Sequence, residues 1–314
     1  MKLSVIVPAF NEGDAVRTCR DAIDKVLSAP ETHVEHEIIF VDDGSSDDTF
    51  EHLQALAAEH SNVRVIKLAM NAGSHMAVRI GLNAARGEMA CFVACDLQDP
   101  PENIPKMMAA LHKPAEIVWA VRKTRSDPWT SRLFSRIFFW LARMIVSKNL
   151  PPGGASSFLI GPRGLKTIRM FGERNMTLDG LFAAMGLKIA QVPYERRERI
   201  KGTTKWTLAK RLKLFADYFV GQSYVPIRFM SYLGLVIALL GFFYAGFVIA
   251  NRIFFEAPVG GWPSLMTAIL IIGGTQMVML GVIGEYVWRT LDEARQRPQY
   301  LIETTLNEPP EDKK

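Results

Sequence analysis

Cysteine is scarce. The 314 residues hold only Cys19, Cys91 and Cys95, which excludes a disulfide framework and fits a reducing compartment. Cys91 and Cys95 fall on one face of an apolar strand pattern. No further ligands at metal spacing accompany them, so core packing is the expected role. The N-terminus lacks a secretory leader. Met1-Lys2 runs into a strand-like Leu3 to Val7 that stops at Pro8, too short for a leader's apolar region and without a cleavage site. This predicts a cytosolic first domain. There is no internal repeat. There is also no aromatic-basic pattern of the kind that marks a nucleic-acid surface, so no nucleic-acid partner is expected. Two stretches, 229–251 and 257–284, carry no charge at all. Each exceeds the roughly 20 apolar residues that a bilayer crossing needs. A pair of buried core helices is the alternative.

The charge that is present is polarised along the chain. Residues 1–113 hold 10 Lys+Arg and 17 Asp+Glu, a net of −7. Residues 114–230 hold 21 and 7, a net of +14. Residues 231–314 come to −2, for +5 in all. A strongly basic middle beside two apolar spans points to anionic lipid or phosphate partners. Arg228 before the spans and Arg289, Arg295 and Arg297 after them place both flanks in the cytosol by the positive-inside rule, with the short intervening loop outside. The spans are expected at about 229–249 and 263–284. Residues 129–147 set Arg132, Arg136 and Arg143 among Trp, Phe and Leu, the pattern of a helix lying in the membrane interface. Trp206 to Val220 is a second such stretch. A helix packed on the soluble domain is the alternative for each. The polar, Pro-bearing tail after Glu303 is expected to be disordered.

The first 120 residues alternate strand and helix patterns. Strands are predicted over Leu3–Phe10, Glu37–Val41, Val63–Ala69, Met89–Cys95 and Ile117–Val121, with helices over Asp14 to Leu27, to about Glu59, and over Ser74–Ala85. Apolar strands alternating with helices predict a parallel sheet covered on both faces. Ligands bind such sheets at the carboxyl ends of the strands, and the acidic clusters fall there. The first strand breaks into Asn11-Glu12 and the second into Asp42-Asp43-Gly44-Ser45, where carboxylates can hold a base or ribose. Helix capping by Asn11, Ser45 or Ser46 is the plainer explanation. The fourth strand ends in Asp96-Leu97-Gln98-Asp99-Pro100-Pro101. Asp96 and Gln98 are oxygen donors spaced i, i+2, suited to Mg2+ or Mn2+ with substrate phosphates and water completing the shell.

Together these pieces resemble the family-2, GT-A-type polyprenyl-phosphate glycosyltransferases, the group of dolichol-phosphate mannose synthase and the bacterial lipid-phosphate glucosyltransferases. The matching segments are Val7-Pro8-Ala9-Phe10-Asn11-Glu12, Val41-Asp42-Asp43-Gly44-Ser45, Asp96 to Glu102, and Arg199-Ile200-Lys201-Gly202-Thr203-Thr204-Lys205-Trp206. Gly281-Val282-Ile283-Gly284-Glu285-Tyr286 and Arg297-Pro298-Gln299-Tyr300 resemble the bacterial two-span branch. The likeness covers about residues 1–302. It implies a Rossmann-like GT-A nucleotide-sugar domain over 1–205, an interfacial helix over 206–228, two transmembrane helices over 229–290 and a cytoplasmic tail over 291–314.

The resemblance also implies roles. Pro8, Phe10, Glu12, Val41, Asp43 and Cys95 line the nucleotide-sugar pocket. Asp96 and Gln98 bind the metal, and Arg122, Arg199 and Lys205 hold donor and acceptor phosphates. The implied reaction moves one hexose, with UDP-glucose favoured as donor, to a polyprenyl phosphate at the cytoplasmic membrane face. It leaves room for a homo-oligomer. There are departures from the family pattern. Phe10 stands where Tyr is usual, and Ala94-Cys95-Asp96 replaces the usual Asp-x-Asp, so one carboxylate is missing. Gly153 to Leu159 has no acid where the family often carries one, and no catalytic base is assigned there. None is required, because a phosphate acceptor is already anionic at pH 7. Attack opposite the leaving group would invert the anomeric centre. Two other readings remain. A processive polysaccharide synthase is disfavoured because the chain lacks Gln-x-x-Arg-Trp. A non-enzymatic membrane scaffold with a degenerate site rests on Ala94.

Overall fold

The computed structural model describes residues 2–112, 114–123, 140, 143–144, 157–172, 178–197, 225–255 and 261–308. Two compact units emerge, one of residues 1–211 together with 298–314, the other of residues 212–297. The basic stretches at 129–147 and 206–220 lie almost wholly outside the described residues.

The first unit is built on one eight-stranded sheet. In chain order its elements are β1 (Leu3–Ala9), α1 (Ala15–Leu27), β2 (His36–Asp42), α2 (Thr49–Glu59), β3 (Val63–Leu68), α3 (Ser74–Ala84), β4 (Met89–Phe92), α4 (Asn103–Ala110), β5 (Ile117–Arg122), β6 (Ser157–Ile160), α5 (Pro162–Ile168), α6 (Leu178–Ala184) and β7 (Ile189–Tyr194), with β8 (Ile302–Leu306) at the end of the chain. The strand order is β7-β5-β6-β4-β1-β2-β3-β8. β1 is flanked in parallel by β2 and β4, and its buried run Leu3 to Val7 is apolar apart from Ser4, as a strand covered on both faces requires. Pro8 lies beyond Ile6, the last β1 residue paired with β4, so its missing N–H removes no bond from that ladder.

Helices cover both faces. On one, Val16, Cys19, Ile23 and Leu27 form the buried stripe of α1 and join Leu53, Leu56, Ile104 and Met107 over Val5, Val7 and Phe40. Spacings of three and four residues put that stripe on one side of the helix. Its three large aliphatics contribute a gross stabilisation of about 5–9 kcal/mol, an upper bound set by an extended reference chain. On the other face α3 lies against β1. A Cβ on Gly81 would stand 2.4 Å from Cγ2 of Ile6, so only glycine allows this approach.

The expected parallel sheet holds for β1 to β4 and for the β5–β7 pair. It is mixed at two places, because β6 runs antiparallel to β4 and β5, and β8 antiparallel to β3. β8 also corrects the expectation of a disordered tail after Glu303. Ile302 to Leu306 pairs along β3, Ala69 N–H donates to the Leu301 carbonyl at 2.9 Å, and Lys67 meets Glu303 at 2.9 Å. Asn307 Nδ2 then donates to the Ala57 and Val63 carbonyls at 2.6 and 2.8 Å. An open strand edge supplies the partners that a polar tail otherwise lacks.

The second unit contains two helices, α7 (Val225–Phe255) and α8 (Trp262–Ala294), of 31 and 33 residues. At 1.5 Å per residue each is roughly 46–50 Å long. Both are long and apolar enough to cross a membrane, and they enclose the expected spans at both ends. Their windows are not buried, and Phe242 and Phe243 are more than 70% exposed, at 77% and 71%. That exposure excludes the buried-core alternative for the described helices. Hydroxyls on these helices close on their own backbone, as where Thr275 Oγ1 donates to the Ile271 carbonyl at 2.8 Å. Gly234 brings α7 close to α8, with its Cβ position 3.5 Å from Cε of Met279.

Candidate active site

Two loops at the carboxyl ends of β1 and β2 are clasped by hydrogen bonds. Asn11 N–H donates to Ser45 Oγ at 3.0 Å, and Ser46 N–H donates back to Asn11 Oδ1 at 2.9 Å. Thr49 Oγ1 accepts from both Glu12 N–H and Gly13 N–H at 2.9 and 2.8 Å, and its proton goes to Asp47 Oδ1 at 2.5 Å. Asn11 has φ 53, a left-handed conformation that Asn tolerates better than most residues. Asn11 and Ser45 therefore tie loop to loop, and neither caps a helix. The N-cap positions of α1 and α2 are Asp14 and Asp48.

Asp42 and Asp43 are both buried. Asp42 Oδ1 accepts from Ser45 N–H at 3.0 Å, which shapes the turn. Asp43 reaches the turn before α3, where its two oxygens accept from Ala72 N–H at 2.7 Å and Gly73 N–H at 2.9 Å. Burial raises the Asp43 carboxyl above its ordinary range and neighbouring Asp42 adds to the rise, while these two N–H groups oppose it. Gly44, at φ 70, sits so near the Met70-Asn71 backbone that a Cβ would lie 2.8 Å from the Met70 carbonyl carbon. Three loops are thus held in one cradle. Pro8, Phe10 and Glu12 are half-buried along its rim, while Val41 is fully buried beneath it.

The third part is the turn after β4. Asp96 Oδ1 accepts from Gln98 N–H at 3.1 Å, and Leu97 between them has φ 53. A branched side chain in that region is strained, and such strain is tolerated where the surroundings fix the turn. Here they do. Gln98 O accepts from Arg197 N–H at 3.0 Å, Gln98 Oε1 accepts from the Arg196 guanidinium, and the buried Asp99 carboxylate accepts from the Tyr194 hydroxyl. Burial raises the Asp99 carboxyl, opposed by the Tyr194 bond and by Arg122 and Arg196. Burial also lowers Arg196, as does the nearby Arg122 charge. Two guanidinium groups that repel each other beside Asp96 and Asp99 make a place where an anion and a cation can both be held.

The structure therefore brings Asp96, Gln98 and Arg122 together. It adds Asp99, Tyr194 and Arg196, which sequence reading missed. Asp99 stood inside a quoted motif and Arg196 three residues before another, but their pairing spans some 95–98 positions, which no local pattern reveals. Cys95 is buried, and the Cys19 hydrogen bond and burial together push its thiol well up, so the side chain belongs to the core. Arg199 and Lys205 lie outside the described residues. Among the described residues no group of three or more His, Cys, Asp or Glu is placed to hold a metal ion. A hard divalent ion here would have one carboxylate, Asp96, and one amide oxygen, Gln98 Oε1, which already accepts from the Arg196 guanidinium. These two oxygen donors would fit such an ion with phosphate and water filling the remaining positions and the Gln98 oxygen shared with Arg196.

Residues 4–165 match the family described as glycosyl transferase family 2, and the chain belongs to that family. Residues 225–289 match the GtrB C-terminal hairpin. The chain is 32% identical to an uncharacterized glycosyltransferase of Synechocystis sp., over 96% of this chain and 95% of that protein. It is 34% identical to the prophage bactoprenol glucosyl transferase homolog of Escherichia coli K12, over 96% and 98%. A mannosyltransferase from Pyrobaculum calidifontis, solved with GDP-Man and Mn2+, matches 92% of this chain and 87% of its own, at TM-score 0.50 and 17% identity. That likeness identifies the GT-A fold.

Proposed function

We propose that this enzyme transfers one hexose, with glucose from UDP-glucose the favoured case, to a polyprenyl phosphate at the cytoplasmic face of a membrane. The observation that carries the reading is near full-length similarity, hairpin included, to a bactoprenol glucosyl transferase homolog, in a chain whose described site sets oxygen donors beside two guanidinium groups. A phosphate oxygen of the acceptor attacks the anomeric carbon. The bond from that carbon to the β-phosphate oxygen breaks, and the nucleoside diphosphate leaves with the electron pair, inverting the centre. A bound Mg2+ or Mn2+ would neutralise charge on the departing diphosphate. Asp96 and Gln98 would hold it, Arg122, Arg199 and Lys205 would hold phosphates, and the loop cradle would hold the nucleoside. No residue need remove a proton from the acceptor, so positioning and charge stabilisation are what the protein supplies.

Connectivity supports a hairpin arrangement in the membrane. If α7 and α8 each cross once, the chain returns to the side it left, which suits a strand β8 that completes the sheet begun before the helices. The basic flanks make that side the cytosol. The test of function is to offer membranes bearing the full chain a panel of radiolabelled nucleotide-sugars and extract the lipid phase. Label from one donor in an acid-labile lipid phosphate supports the reading. No label from any donor with polyprenyl phosphate supplied sinks it, and favours the scaffold reading that Ala94 suggests.

A further inference from the structure

Arg196 holds the turn after β4 by an atom that the turn needs for something else. Its guanidinium donates to Gln98 Oε1, the side-chain oxygen through which Gln98 could reach an ion. Asp96 and Asp99 attract the same guanidinium, and the nearby Arg122 charge repels it. The two partners differ in freedom. Gln98 is buried, at 8% exposed. Its N–H donates to Asp96 Oδ1 at 3.1 Å and its carbonyl accepts from Arg197 N–H at 3.0 Å. The Tyr194 hydroxyl anchors the next residue, Asp99. Arg196 is exposed, in the segment that follows β7, so its guanidinium can change rotamer without unpacking the core. The turn is the fixed half of this contact and the arginine is the movable half.

An amide oxygen has two lone pairs. A divalent ion and a guanidinium on one oxygen would nevertheless repel each other strongly at such short range, with Arg122 adding to the repulsion. The oxygen is more readily shared in turn than at once. We propose that Arg196 is a displaceable guard of Gln98 Oε1: it holds that oxygen while the site is empty, passes to the oxygens of a nucleoside diphosphate when one binds, and so frees Gln98 for the ion. The inference rests on the proposed function for the identity of the diphosphate, the leaving half of the donor. Only hydrogen bonds are exchanged, and a guanidinium fork suits paired phosphate oxygens better than a single amide oxygen. The consequence is a coupling in which ion and diphosphate each make room for the other. A guanidinium that stayed in place would act on each of them separately and add nothing to their coupling.

The test uses full-length protein in detergent and reads binding rather than turnover. Mn2+ affinity is measured by electron paramagnetic resonance with and without a saturating nucleoside diphosphate, UDP or GDP, whichever binds wild type by calorimetry. The variants are Arg196→Met and, as the charge control, Arg197→Met, because the Arg197 guanidinium meets Glu102 rather than Gln98. In Arg196→Met, Mn2+ alone is expected to bind more tightly. The factor by which the diphosphate tightens Mn2+ is expected to fall about 5-fold or more, the low end of the usual coupling between sites. The factor by which Mn2+ tightens the diphosphate must fall equally. Arg197→Met should keep both factors as in wild type. Tighter Mn2+ alone with an unchanged diphosphate factor marks a fixed repelling charge and overturns the proposal. So does an Mn2+ affinity that Arg196→Met leaves unmoved, an equal change in Arg197→Met, or a wild type that binds neither diphosphate or no Mn2+ beside it. If the coupling depends on Arg196 but no lipid receives sugar, the exchange stands and the proposed function falls. If sugar is transferred and the coupling ignores Arg196, the exchange falls alone.

Discussion

Thr49 is a residue through which the loop cradle proposed to hold the nucleoside can be loosened without touching any group proposed to meet the substrate. Its side chain is buried, and its hydroxyl oxygen accepts two backbone N–H groups of the neighbouring loop while its proton goes to Asp47. Thr49→Val keeps the β-branched shape and removes all three bonds. An unsatisfied buried donor costs about 1–3 kcal/mol. Glu12 and Gly13 are only half-buried, so water can reach them and the loss should fall at about 2–3 kcal/mol in all, taking the low end for each donor. Part of that loss appears as stability and part as a looser Asn11–Glu12 loop. Calorimetric binding of UDP should weaken roughly 10-fold for each 1.4 kcal/mol that reaches the cradle, while turnover at saturating donor stays near wild type. Thr49→Ser, which keeps the oxygen, should restore most of the affinity. If Thr49→Val binds UDP as wild type does and unfolds at the same temperature, the clasp has no energetic role and the account of the cradle fails.

Other outcomes are expected. Asp96→Ala should abolish transfer and Gln98→Ala should weaken it, and near wild-type activity of Asp96→Ala at limiting Mn2+ would remove the metal assignment. Arg199→Ala and Lys205→Ala should each lower turnover by roughly 10²–10³ at saturating substrates, by analogy with lost oxyanion donors, while membrane fractionation is unchanged. A weaker apparent lipid affinity alone would instead mark them as headgroup contacts, worth about 1 kcal/mol each. A cysteine replacing Gly260 should react with an impermeant maleimide on intact cells and one replacing Lys313 should not; the three native cysteines are buried and should add little background. Burial pulls the Glu37 carboxyl up, but Ser4, the Arg86 N–H and Arg64 outweigh it and hold it below the ordinary glutamate value. Its contribution to stability is therefore complete above that ordinary value and is lost as pH falls through the lower folded one. Glu37→Leu should cost about 3–5 kcal/mol by stranding the buried Arg64, toward the low end because Arg64 also reaches Glu308 at 3.6 Å. An acid-unfolding midpoint that Glu37→Leu leaves unmoved would contradict this.

What could be read from the sequence was local. Strands β1 to β5 were found because short apolar runs are local patterns, those of β1, β2 and β4 breaking into Asn or Asp, and the Asp96–Gln98 turn announced itself by its own spacing. Contacts between distant segments were hidden. Asn11 and Ser45 read equally well as helix caps, and only the folded loops show that they face each other. Tyr194 and Arg196 gained meaning from Asp99 and Gln98 across nearly a hundred residues. β6 is only four residues long and offered too little periodicity to detect. β8 was misread because Glu303, Thr304 and Thr305 look like solvated tail. Their strand state depends on an edge that β3 presents, which is tertiary context overriding composition.

β8 also fixes an order of events during synthesis. Lys67 of β3 waits for Glu303, 236 residues later. At about 5–20 residues per second, some 10–50 s separate the two on the ribosome. Through that interval the membrane hairpin is made while the β3 edge of the sheet stands open, the condition in which strand edges recruit wrong partners. A shortened chain that stops after α8 would keep every residue assigned to chemistry and still carry that open edge permanently. Its failure would then be one of aggregation, visible as loss of soluble or membrane-integrated protein long before any assay of sugar transfer could be run.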